Sequence, residues 1–477
     1  GRSEDGKRIL EINDNLRLEL EKSSVFAKQF VYTTDEDGLE VHHHLDGAKL
    51  EENLYHDSSN MASIMVSEQG GLQVEGIVNE HLRIRPLEAG ERSFESGGGH
   101  ILYHVNQRVP RPEDILYAPG EEHGKQAPLF TKPNHVDTRQ DQSASTYSAP
   151  VAHPEVVIVV DTAHSLKFKG KKEVKGNKIM EYCAVFMNAV NLKYSTLNYV
   201  TVKFILSAIW RHNKTVESTY MEFHNGKDNL MNSYSSLGNL ADYTAVKEDA
   251  FSPYDLVVLL TGRDLISVYS DGTYSDATAG RAFVGKVCDQ QYKVGMVEDY
   301  PPTYDGVQTF AHEVGHLMGC VHDGAGVYSS IPNHPGAENC SAADKLIMSP
   351  IASYNSIDKF SYCCGQQIFT VYHLKTSACL KQETTTSVAS STKLPGDMLG
   401  SADQYCRVVH PDHNETTINL PNFGNLSQCV IACMLKPEDS RIYLHKSPDG
   451  IPCASGTNKV CINTECVDNQ AGSHTSG

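Results

Sequence analysis

One short segment constrains this chain more than any other: His312-Glu313-Val314-Gly315-His316-Leu317-Met318-Gly319-Cys320-Val321-His322-Asp323. His312 and His316 stand four residues apart, so a helix projects both from one face and their imidazoles can meet a single ion. Glu313 lies on the adjoining side of that helix, placed to reach a water beside the ion. Gly319 permits a left-handed backbone and a sharp turn, which brings His322 back toward the same ion. Three nitrogen ligands and one open position mark a catalytic zinc site, whereas a structural site is closed by four protein ligands. Zinc would polarise a carbonyl and acidify water; Glu313 would act as general base, taking the water's proton and passing it to a leaving amine. The alternative is an ordinary helix with hydrogen-bonded histidines, and the added glycine, third histidine and acid at fixed spacing argue against it.

Downstream, Met348 sits in Leu346-Ile347-Met348-Ser349-Pro350. Methionine often fills gaps in a core, but after such a motif it can form a turn lying beneath the metal-binding rings.

The rest of the chain bounds the setting. Its 477 residues suggest several domains, and a formal net charge of -18 argues against nucleic acid and anionic membranes as partners. No apolar run approaches the roughly 18 residues of a membrane span. All 13 cysteines fall from Cys183 onward, and six crowd between Cys406 and Cys466. Such a cluster reads as a disulfide framework in an oxidising compartment. A zinc module is the lesser alternative, since no CxxC pair supplies it. Sequons at Asn213, Asn339, Asn414 and Asn425 fit secretion, as would an export signal removed ahead of Gly1.

Residues 1–150 carry strand-like stretches (16–20, 29–32, 62–66, 81–85), with His42, His43 and His44 on an exposed strand, and end in a linker over 110–150. Buried strands at 156–160, 200–210 and 256–260, alternating with helices at 178–192 and 307–318, predict an α/β domain with a mixed, mostly parallel sheet. A Thr/Ser-rich linker follows, then the cysteine-dense region.

These residues resemble the metzincin metalloproteases, and Asp323 directly after the third histidine is similar to the reprolysin branch, the venom and ADAM-type enzymes. Glu155–Asp161, Asp255–Thr261, the segment from Gly280 to Asp289 and Phe360–Leu380 match that family's strands, edge strand and last helix. The layout resembles secreted reprolysins of arachnid venom and saliva. The resemblance implies a mainly β prodomain plus linker over 1–150, a zinc metalloprotease domain of α/β (α+β) class over 154–382, a linker over 383–398, a small disulfide-rich module of disintegrin-like or cysteine-rich kind over 399–467, and a flexible tail over 468–477. It implies a monomeric, secreted endopeptidase acting on extracellular matrix or plasma proteins, which would lie along the edge strand near Gly280–Lys286.

It further implies a disulfide between Cys288 and Cys379, and pairing of Cys320 and Cys340 with Cys363 and Cys364 in either order, leaving Cys183 as the odd thiol. Glu155 and Asp255 match ligands of a structural calcium, although Gln382 stands where an Asn ligand is common. Gly319, Asp323 and Met348 would shape the zinc site. The leader region lacks the cysteine that silences zinc in many relatives; Asp114 is the candidate carboxylate in its place. The rival reading is a catalytically silent or latent toxin or adhesion protein acting through its cysteine-rich module.

Overall fold

The computed structural model describes residues 7–36, 39–68, 71–87, 99–105, 115–116, 149–168, 172–351, 358–381, 401–409, 418–419, 425–434, 442–448, 450–454, 456–462 and 465–468. The chain forms two compact units, Gly1–Ala27 with Gly47–Thr384, and Lys28–Asp46 with Thr385–Gly477.

Within the first unit, seven strands from Arg8–Asn13 to His100–His104 form an antiparallel sheet. Its logic is period-two alternation: in Leu16–Lys22, Leu18 and Leu20 are buried while Arg17, Glu19 and Glu21 face water. The apolar face, built by Leu18, Leu20, Ile64, Val66, Val74 and Ile84, makes one core. This sheet rests on the helix Lys172–Tyr194. Ser63 Oγ donates to Val185 O (2.8 Å), and Asn188 Nδ2 donates to Ser63 Oγ (2.9 Å). Buried Arg83 donates from Nε to Thr303 O (2.9 Å).

The central sheet carries the strands that position the site. Glu155–Val160, Ile205–Arg211, Leu256–Thr261 and Val294–Glu298 run parallel, and Gly280–Phe283 pairs antiparallel with the last of these. The first and third are buried at every residue, which explains their unbroken apolar runs. The stretch read as one strand over 200–210 is two, Thr201–Val202 and Ile205–Arg211, and the helix read over 178–192 extends to Lys172–Tyr194. A larger difference falls inside the expected linker: Ile115–Leu116 is a strand, paired parallel with Ala282 and Phe283. Two residues are too few for a readable period. The Thr/Ser-rich linker lies outside the described residues.

In the second unit, residues 28–46 form an antiparallel hairpin, its second strand Leu39–Asp46 bearing the histidine run. His43 is exposed there, while His42 and His44 are half-buried; burial lowers His42 to about 4. The C-terminal part is held by Cys406–Cys433, Cys429–Cys461 and Cys453–Cys466. All six cysteines are thus spent in disulfides rather than on a zinc ion.

His212 gives the first unit an acid-sensitive point. It is buried beside Trp210, Tyr220 and Tyr243, with Nδ1 2.9 Å from the Tyr220 hydroxyl, and burial lowers its pKa to about 3. The folded value lies below the unfolded one, near 6.5, so the unfolded chain takes up the proton first. Its contribution is complete above pH 6.5 and falls as pH drops toward 3, at most about 5 kcal/mol over that span. Urea titrations of wild type and His212→Gln should therefore diverge most at neutral pH and converge in acid; a gap independent of pH would exclude this source.

Candidate active site

The helix Val307–Leu317 is buried along its whole length. Its start is held by Asp299, whose Oδ1 accepts the Gly306 N–H (3.1 Å) and whose Oδ2 accepts the Tyr182 hydroxyl (2.8 Å) and lies 2.8 Å from His164 Nε2. Tyr194 of the long helix donates to Ala311 O (2.9 Å). At the other end, Gly319 N–H donates to His316 O (2.8 Å) and Cys320 N–H to Gly315 O (2.9 Å). With Gly319 at φ +106°, this is the paired-bond helix stop that reverses the chain.

The reversal brings the three histidines together. His312 Nε2 lies 3.0 Å from His316 Nε2 and 3.2 Å from His322 Nε2, all three rings being buried. His312 Nδ1 donates to Ile347 O (2.6 Å), and His316 Nδ1 to Cys320 O (2.7 Å). Those bonds leave each Nε2 as an electron-pair donor aimed at its neighbour. Facing lone pairs at this distance repel unless they share a cation, so the donor set fits one divalent ion, and nitrogen donors suit zinc. Neither carbonyl could be foreseen from the motif, because backbone acceptors carry no residue signature.

Glu313 is fully buried, and the edge strand lies against it. A Cβ at Gly280 would fall 2.6 Å from Glu313 Oε1 and 2.7 Å from Thr309 Cγ2. Only glycine lets the strand backbone approach this closely. Met348 is buried with its sulfur against Gly315: a Cβ there would fall 2.7 Å from it. Asp323 N–H donates to Met348 O (2.9 Å), and its Oδ1 accepts the Ser361 hydroxyl (2.6 Å) at the start of the helix Tyr362–His373. Burial raises the Asp323 carboxyl.

Disulfides tie these parts together: Cys288–Cys379, Cys320–Cys364 and Cys340–Cys363, with Cys183 buried and unbonded. Glu155 and Asp255 are brought side by side, the Glu155 N–H donating to Asp255 Oδ2 (2.9 Å), and burial raises Asp255 to about 6. Asp114 and Gln382 lie outside the described residues.

Three converging imidazoles on one buried helix-and-turn, with a carboxylate beside them, have the geometry of a metallopeptidase centre. Residues 180–323 match the model described as metallo-peptidase family M12B, reprolysin-like. The chain is 25% identical over 460 residues to "A disintegrin and metalloproteinase with thrombospondin motifs like" of Bombyx mori, covering 87% of this chain and 64% of that one. It is 26% identical over 366 residues to venom metalloproteinase BumaMPs1 of Olivierus martensii, covering 76% and 84% of the two chains. It is 27% identical over 354 residues to venom metalloproteinase antarease TserMP_A of Tityus serrulatus, covering 72% and 82%. Residues 180–323 thus carry a reprolysin-type metallopeptidase domain, a kind of domain that uses zinc, and the match supports a metalloendopeptidase. Among the described residues no helix is long and apolar enough to cross a membrane.

Gly280→Ala tests the closeness of edge strand and carboxylate. It should leave metal content unchanged and lower kcat on a peptide roughly tenfold or more, since the added methyl group must displace Glu313. An unaltered kcat would show that the carboxylate has room to spare.

Proposed function

We propose that the protein is a secreted endopeptidase that cleaves extracellular proteins, with His312, His316 and His322 as zinc ligands and Glu313 as general base. The convergence of the three Nε2 atoms is the observation that carries the reading. When bound, zinc supplies a Lewis acid that polarises the scissile carbonyl and acidifies water. Glu313 takes one proton from the attacking water as its oxygen adds to the carbonyl carbon. It returns that proton to the amine nitrogen as the C–N bond breaks. The Gly280–Phe283 strand offers main-chain groups along which an extended substrate can add as a further strand. Six disulfides and venom relatives support an extracellular site of action. Matrix or plasma proteins are the substrates that suit that location.

A chelator should abolish cleavage of a peptide library and zinc should restore it. Glu313→Ala should keep zinc and lose at least about a thousandfold in kcat. Cleavage that persists without metal would favour the silent-toxin reading, in which the cysteine-rich module acts alone.

Residues 1–150 act as a prodomain in this reading. Ile115 and Leu116 pair with the edge that a substrate needs, and Arg281 NH1 donates to Ile115 O (3.4 Å). Latency then comes from cover of the edge strand rather than from a cysteine on zinc. Replacing both residues by proline removes the strand's N–H donors. The uncut double variant should turn over a peptide several-fold faster than the uncut wild type; equal rates would exclude this cover.

Calcium at Glu155 and Asp255 would neutralise two adjacent buried acids. Added calcium should raise Tm by a few degrees, and Glu155→Gln with Asp255→Asn should remove the response. A wild-type Tm indifferent to calcium would rule the site out.

A further inference from the structure

We propose that His334, which no part of the zinc motif contains, is a positioning residue for the third zinc ligand, acting through the Gly319 turn. The inference rests on the reading that the three imidazoles hold zinc. His334 is buried, and its two ring nitrogens face opposite ways. Nδ1 accepts the Tyr328 N–H (3.0 Å) and the Gly336 N–H (3.2 Å). Two backbone donors on one nitrogen leave the ring proton on Nε2, which donates it to Gly319 O (2.9 Å). The tautomer is therefore dictated by the backbone around it. Burial also favours the neutral ring, lowering its pKa below the ordinary value.

Gly319 is where the chain reverses between His316 and His322, so its carbonyl sits at the pivot of the third ligand. The loop carrying His334 is itself tied down by backbone bonds and a disulfide. Gly324 N–H donates to Ala337 O (2.9 Å) and Ala337 N–H to Ala325 O (2.8 Å), and Cys340–Cys363 staples the loop's end to the helix Tyr362–His373. The turn is also packed tightly. A Cβ at Gly319 would meet Val371 Cγ2 at 2.5 Å and Ile331 Cδ1 at 3.6 Å; one at Gly285 would meet Ile331 Cδ1 at 2.4 Å. Beyond the pivot, Val321 N–H is taken by Gln367 Oε1 (2.8 Å) and Asp323 N–H by Met348 O (2.9 Å). His334 therefore supplies the side-chain anchor on the pivot, and Gln367 and Met348 fix the approach to the ligand.

The test uses the full chain and three variants that separate the two ends of the ring. His334→Gln can keep a donor toward Gly319, His334→Asn only the acceptor toward Tyr328 and Gly336, and His334→Leu neither. Zinc affinity is measured by competition with a chelator of known affinity, and the visible spectrum is recorded after cobalt substitution. His334→Leu and His334→Asn should bind zinc about tenfold or more weakly, with a shifted cobalt spectrum, while His334→Gln stays within about threefold of wild type. If His334→Leu does not fold, the Gln and Asn pair decides alone. Equal zinc affinity in the Gln and Asn variants, or wild-type affinity and spectrum in the Leu variant, overturns the proposal. A wild-type chain that takes up no zinc would instead overturn the zinc reading beneath it.

Discussion

Two imidazole lone pairs, on His312 and His316, face each other at 3.0 Å with His322 Nε2 drawn in beside them, an arrangement that suits a shared cation, and the elements around the three rings hold them there. The helix supplies two rings at fixed spacing, and the Gly319 stop supplies the third. Carbonyls of Ile347 and Cys320 orient two of the rings by taking their Nδ1 protons. Met348 fills the space against Gly315, and Asp323 ties the end of the motif to the start of the helix Tyr362–His373. Outer partners of this kind set tautomer and ring direction, and so share in metal affinity.

The sheet serves the same geometry from the other side. Its strands are buried, which makes the platform stiff, and its antiparallel edge presents Gly280 to Glu313 with no side chain between them. A base must lie within reach of the proton it takes, and a bulkier residue on that edge would occupy the space. Arg281, alternating to the opposite face, is buried with Nε donating to Ser233 Oγ (3.1 Å) and NH2 to Ser267 Oγ (2.9 Å). The same short strand thus brings one residue to the chemistry and anchors the next in the scaffold.

The histidine cluster is legible in sequence because it is local: two of its members share one helical turn, and glycine marks where the helix must stop. The inner strands are legible because burial on both faces leaves unbroken apolar runs, as at 156–160 and 256–260. Other features depend on distant partners. Adjacent Cys363 and Cys364 give no clue to which takes Cys320; helix direction decides, and Cys364 does. Asp299 precedes the active-site helix without a capping pattern, yet holds the N–H of Gly306, the residue just before its first turn. Ile115–Leu116 becomes a strand through its partner on the sheet edge, not through its own periodicity. His334 is legible only once the loop's backbone donors are seen around Nδ1.

X-ray absorption at the zinc edge of the purified chain tests whether three imidazoles share one ion. About one zinc per chain is expected, with three imidazole nitrogens near 2.0–2.1 Å and lighter oxygen scattering completing the shell. A sulfur shell near 2.3 Å, or a preparation in which replacing His322 leaves zinc content and spectrum unchanged, would contradict it.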